Sequence, residues 1–169
     1  NVGQSFLASL PAAVARLAAQ KAAGSYAPAD QVVGLYRISD PDAVAYGLFA
    51  MVDTDQISTA ADEPGLVIRN EDVFLEKVRE RVAPAQALGH LLSPVLLLQT
   101  GLGDQLHEAL AAAAAEAGAP AATDVDPAGR THAIWPLTGG PVADGLRALA
   151  GGGELVVADG NHRSLAAQS

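Results

Sequence analysis

The chain has 169 residues, half of them hydrophobic, with no cysteine and a formal net charge of −9. That length supports one domain or two small lobes with a real core; the missing thiol excludes disulfides, thiolate zinc sites and a cysteine nucleophile; the acidic balance excludes long-range attraction to nucleic acid or anionic lipid. No apolar run approaches the roughly 18 residues of a membrane span and no signal segment opens the chain, so the sequence reads as a cytoplasmic protein whose core is Leu, Val and Ile, aromatics being only 4%.

From Phe6 the apolar positions Phe6, Leu10, Val14 and Leu17 have helical spacing, with Ser9 as N-cap, Pro11 in the first turn and Gly24 just past the end. Val32 to Ile38 and Val44 to Val52 are β-rich runs joined by the turn Ser39-Asp40-Pro41-Asp42, which makes a hairpin. Asp53, Asp55, Asp62 and Glu63 lie in a polar connector that lacks calcium-loop spacing and reads as solvated linker.

A short strand then ends at Arg69, Asn70 caps, and a charged helix runs toward Pro84. Lys77 and Arg81 stack at i,i+4 on that helix, close to the face of Asn70. Such a pair is either satisfied by Glu80 on a solvated face or forms a contact for an anion. Pro94 to Gln99 is a fully apolar strand feeding Thr100-Gly101-Leu102-Gly103-Asp104. This is a weak match to a dinucleotide fingerprint, and it reads as the start of an Ala-rich helix from about Gln105 to Ala117 that ends at Gly118; His107 reads as a surface histidine. Two further strands, Ala121 to Val125 and Thr131 to Leu137, flank the turn Asp126-Pro127-Ala128-Gly129. They direct His132 and Ile134 to one face and Ala133 and the only Trp, Trp135, to the other. Pro141 to Ala150 forms a helix, released by Gly151-Gly152-Gly153.

The most informative stretch is Leu155 to Ala167. Leu155-Val156-Val157-Ala158 reads as a strand covered on both faces, Asp159-Gly160 breaks it, and helix resumes behind Asn161-His162-Arg163-Ser164. A strand entering a helix through a Gly turn leaves unpaired N–H groups and partial positive charge where a phosphate or carboxylate binds. Arg163 adds a planar fork of donors, His162 a side chain able to donate or accept a proton, and Asp159 a carboxylate to hold a metal or orient His162. The bland alternative is helix capping by Asp159 or Asn161, with His162 and Arg163 facing water.

Val157-Ala158-Asp159-Gly160-Asn161-His162-Arg163-Ser164 resembles the signature of the domain-of-unknown-function 1015 family, an apolar strand followed by Ala-Asp-Gly-His-His-Arg or a variant reading Asp-Gly-Asn-His-Ser. Asn161 stands where the commoner form has its first His. A second signature is similar to Ile68-Arg69-Asn70-Glu71, Lys77, Arg81 and Ser93-Pro94-Val95, with Asn70 in place of a frequent His. The Tyr36-Arg37-Ile38 hairpin and Thr131 to Trp135 follow in the same order, so the resemblance extends from about Leu35 onward. Members of that family usually extend beyond both ends of this chain, which therefore reads as part of something longer.

The resemblance implies a ParB-like and sulfiredoxin-like phosphate-binding turn and a relation to free serine kinases. Sulfiredoxin chemistry is closed by the absence of cysteine. What remains is an α/β (α+β) domain over residues 1–169, a mixed sheet with packed helices, acting as a nucleotide-dependent kinase on a small hydroxyl compound such as free serine. Glu71, His162 and Asp159 are the expected catalytic residues. The phosphates fall to Gly160, Asn161, Arg163, Ser164, Arg69, Asn70, Lys77 and Arg81, with Mg²⁺ at Asp159 and ATP or ADP as cofactor. Glu71 at a helix start is equally what capping electrostatics selects. The alternatives are a non-catalytic nucleotide-sensing or partner-binding module and a site degenerate through Asn70 and Asn161; nucleic acid is disfavoured as a partner.

Overall fold

A computed structural model of the chain describes residues 6–58, 65–69 and 71–169. Its elements run α1 (Phe6–Ala22), β1 (Val32–Ser39), β2 (Val44–Phe49), a 3-10 turn (Thr54–Gln56), β3 (Val67–Ile68), α2 (Leu75–Leu88), β4 (Leu96–Gln99), α3 (Gly103–Ala117), β5 (Ala122–Val125), β6 (Thr131–Thr138), α4 (Pro141–Ala150), β7 (Leu155–Asp159) and α5 (Asn161–Gln168). The architecture is mixed α+β, as the irregular alternation of elements predicts. The strands form two sheets where one was expected, ordered β2-β1-β6-β5 and β3-β7-β4. Among the described residues no helix is long and apolar enough to cross a membrane. The chain divides into two compact units, Asn1–Pro28 with Thr54–Leu97 and Val157–Ser169, and Ala29–Asp53 with Leu98–Val156.

The second unit is built on two hairpins. β1 pairs antiparallel with β2 and with β6, and β6 with β5, placing Leu35 opposite both Leu48 and Trp135. Both turns are organised by an aspartate. Asp40 Oδ1 accepts the Asp42 and Ala43 N–H groups at 2.9 and 2.8 Å, and Asp126 Oδ1 accepts those of Ala128 and Arg130, each at 2.9 Å. Short polar side chains satisfying backbone donors two to four residues on are the physical reason these turns are legible in sequence.

Leu35, Ala133 and Trp135 face Leu110, Ala113 and Ala114 of α3 and Leu146 of α4. The Ala residues of α3 let the helix lie close on the sheet, so one large ring fills the middle of the core. Trp135 satisfies its single polar atom by donating from Nε1 to the Gly118 carbonyl at 3.0 Å, and the Arg37 guanidinium lies 5.4 Å from its ring centre. The predicted alternation of Ala133 and Trp135 inward, His132 and Ile134 outward, matches their burial.

On the outer side, Asp126 Oδ2 accepts Arg130 Nη2 at 2.7 Å and lies 3.2 Å from His132 Nε2, while the Tyr36 hydroxyl bonds His132 Nδ1. Backbone and side-chain hydrogen bonds from Arg130 hold the Asp126 carboxyl far below the usual carboxylate range.

In the first unit α2 packs against α1 and α5. Among the described residues Ile57, Val67, Val78, Val157 and Ala166 are its buried apolar side chains, and Gln168 Nε2 ties α5 to the residue after the 3-10 turn through the Ile57 carbonyl at 3.1 Å.

Several boundaries differ from the sequence reading. α1 begins before Ser9, so Ser9 does not cap it and Pro11 lies inside the helix. β2 ends at Phe49 instead of Val52. α2 starts at Leu75 and runs through Pro84 to a left-handed Gly89 whose N–H reaches the Ala85 carbonyl at 2.9 Å; Pro84 removes one N–H bond, and the neighbouring Ala83, Ala85, Gln86 and Ala87 keep helical geometry. α3 starts at Gly103 because Gln99 Oε1 accepts the Leu102 N–H at 2.7 Å while Gln99 Nε2 donates to the Ala150 carbonyl at 2.8 Å. The strand read as covered on both faces is not, since Ala158 of β7 is exposed, and the fully apolar β4 leaves Leu96 and Leu98 exposed. Asp62 and Glu63 lie outside the described residues.

Candidate functional site

The turn after β7 is held by one glycine. Gly160 has φ +101° and ψ 32°, a conformation that L side chains rarely adopt, and it precedes the first residue of α5 with no side chain capping the helix. Its missing Cβ also makes room: a Cβ there would lie 2.9 to 3.1 Å from the Arg163 guanidinium, which lies close against the turn. From that seat Arg163 Nη2 donates to Asp159 Oδ2 at 2.9 Å, an i,i+4 pair in which Asp159 is 74% exposed and Arg163 30%. Neither capping by Asp159 nor orientation of His162 by Asp159 describes this arrangement, because the carboxylate faces the guanidinium.

The turn lines a cleft of about 280 Å³ whose walls are Ala158, Asp159, Gly160, Asn161, His162 and Arg163 on one side and Glu71, Lys77 and Arg81 on the other. All of them belong to the first unit. Lys77 and Arg81, one turn apart on α2, both reach the cleft; Glu80 is not among its lining residues. Three cations face two carboxylates, so in a chain of net charge −9 the cleft carries a local excess of positive charge. Lysine and arginine stacked at i,i+4 repel unless an anion lies between them. Glu71 is exposed on this wall, ahead of α2 instead of in its first turn.

Two expected site residues lie elsewhere. Arg69 Nε donates to the Ser58 carbonyl at 2.8 Å and its N–H to Ser58 Oγ at 3.3 Å, which makes it a strut between β3 and the segment after the 3-10 turn. Ser164 is 2% exposed and its hydroxyl donates to the Asn161 carbonyl at 2.8 Å, within α5. Asn70 lies outside the described residues. Among the described residues no three of His, Asp and Glu gather as a metal cluster.

One residue absent from the sequence reading adjoins the site. Phe74 precedes α2, and its N–H donates to His162 Nε2 at 3.2 Å. Its ring lies nearly parallel to the imidazole, at 9° with centroids 6.2 Å apart, and the Lys77 ammonium sits 5.3 Å from the ring centre. The available signal was an aromatic next to a charged helix start, which periodicity alone assigns to the helix interior.

The family described as Protein of unknown function (DUF1015) matches residues 12–169, and the chain belongs to that family. No curated protein and no solved structure matches.

Proposed function

We propose that this DUF1015 member is a nucleotide-dependent phosphotransferase, a kinase for a small hydroxyl compound such as free serine. The observation that carries the reading is the shared cleft: Glu71 and Asp159 stand among Lys77, Arg81 and Arg163 at the start of α5. Phosphoryl transfer needs little covalent chemistry from the protein and much positioning of charge, and this set supplies it. The guanidinium and ammonium groups, with the positive end of α5, bind the phosphate oxygens.

Glu71 takes the proton of the substrate hydroxyl as its oxygen bonds to the terminal phosphorus. The bond from that phosphorus to the bridging oxygen breaks, and the shortened nucleotide leaves with the electron pair. Asp159, an exposed carboxylate on the cleft now paired with Arg163, is the residue that would hold magnesium, an ion commonly bound by one or two carboxylates together with substrate phosphates. When bound, the ion would neutralise phosphate charge.

A second reading, nucleotide sensing without turnover, is favoured by the engagement of Asp159 with Arg163 and of His162 with the Phe74 N–H. Calorimetric titration with ATP and ADP plus Mg²⁺ tests both. Binding that is lost in Arg163→Ala, with serine-dependent nucleotide turnover that disappears in Glu71→Gln, is the outcome expected of the kinase. Binding without turnover for any small hydroxyl compound leaves the sensor, and no binding at millimolar nucleotide overturns both.

A further inference from the structure

Neutral imidazole has one donor nitrogen and one acceptor nitrogen, and the hydrogen bond made by one fixes the role of the other. His162 Nε2 faces a backbone N–H, that of Phe74 at 3.2 Å, and an N–H can only donate. Nε2 is therefore the acceptor and Nδ1 carries the proton. His162 lines the cleft, so what its neutral imidazole has left to offer a ligand is an N–H donor, the lone pair being unavailable while the Phe74 bond stands. The sequence placed a general acid or base at His162; the geometry gives it a hydrogen bond to donate.

The same residue fixes two further things. Phe74 as a residue is 68% exposed, yet its ring lies parallel to the imidazole and under the Lys77 ammonium. Cation–π attraction of this kind holds a flexible lysine in one region at a cost in rotamer freedom that the exposed ring offsets. Through its N–H and its ring Phe74 thus links the start of α2 to the start of α5 and sets the positions of two groups on the cleft.

We infer that Phe74 is a positioning residue that locks His162 in the Nδ1–H tautomer and seats Lys77, so that both act as donors to an anionic oxygen of a phosphoryl group. The inference rests on the phosphate reading for its ligand, although its first test does not. Nitrogen-15 spectra of the histidine rings in the ligand-free protein should show His162 protonated at Nδ1; protonation at Nε2 overturns the proposal outright. Phe74→Ala keeps the N–H and removes the ring, so the tautomer should persist while affinity for inorganic phosphate falls about two- to five-fold. Phe74→Pro removes the N–H as well and should release the tautomer toward Nε2–H, whereas Phe74→Tyr should restore the wild-type spectrum and affinity. An unchanged tautomer in Phe74→Pro, or unchanged phosphate affinity in Phe74→Ala beside measurable wild-type binding, overturns the positioning role. A wild-type Nδ1–H tautomer in a protein that binds neither phosphate nor nucleotide instead refutes the proposed function and leaves the tautomer lock standing.

Discussion

Replacing Gly160 by alanine strikes the turn in two ways that can be separated. The first is conformational: at φ +101° an L residue costs about 1–3 kcal/mol. The second is steric, because the new Cβ would meet Arg163 Nη2 at 2.9 Å, Nε at 3.0 Å and Cζ at 3.1 Å. The guanidinium is the far end of a flexible side chain, so it swings away and its pair with Asp159 is lost. That pair is largely solvated, with Asp159 74% exposed, and its loss adds no more than about 1 kcal/mol. A total destabilisation of roughly 1–4 kcal/mol follows.

Gly89→Ala is the matched control. It also has positive φ, +68°, in the same unit, but a Cβ there meets nothing within 4 Å, so only the conformational cost of about 1–2 kcal/mol applies. Urea unfolding followed by far-ultraviolet circular dichroism reads the difference in midpoint at constant slope. Phosphate titration reads the rest: displacing Arg163 removes a charge-assisted hydrogen bond and should raise Kd by about tenfold or more, while Gly89→Ala leaves it unchanged. If Gly160→Ala costs no more stability than the control and binds phosphate as wild type does, the close approach of Arg163 to Gly160 has no functional consequence.

Leu35 is fully buried at the centre of the second unit, opposite Trp135, so Leu35→Ala should destabilise it by about 2–5 kcal/mol. The lone tryptophan reports this directly, as an earlier loss of its fluorescence signal in urea. Asp126 tests the hairpin by pH. Its folded carboxyl titrates well below the unfolded value of about 3.9, so its contribution is fully present well above that value and is lost progressively as pH falls through and below it. Asp126→Asn should be less stable than wild type at neutral pH, and the gap should narrow on acidification; a gap independent of pH would falsify the assignment.

The local punctuation of this chain was written in the sequence. Pro141 at the first helical position and the glycines from Gly151 bound α4 at the predicted residues, because both act through their own backbone preferences. Asp40 and Asp126 mark their turns for the same reason, reaching donors only a few residues away. The alternation of Ala133 and Trp135 located the core face of β6, and the Asp159-Gly160 break located the junction on which the cleft is built.

Tertiary structure decided what those signals meet. The start of α2 is set by Phe74, whose N–H finds an acceptor on His162, 88 residues away in sequence; the start of α3 is set by Gln99, which also holds the end of α4. His162 lies far outside the window over which propensity acts; Gln99 is only three residues from Leu102, but its amide is held by the Ala150 carbonyl, 51 residues away. Arg69 and Ser164, within two residues of lining residues in sequence, turn into struts because the carbonyls of buried Ser58 and of Asn161 need donors. Lys77 and Arg81 share a face by helical period alone, but their convergence with Asp159, His162 and Arg163 depends on how α2 packs on α5. Composition and backbone preference thus determined the elements and their turns, since these are short-range effects. The cleft and the proton-bearing nitrogen of His162 were decided by packing, since each depends on groups that only the folded chain brings within hydrogen-bonding distance.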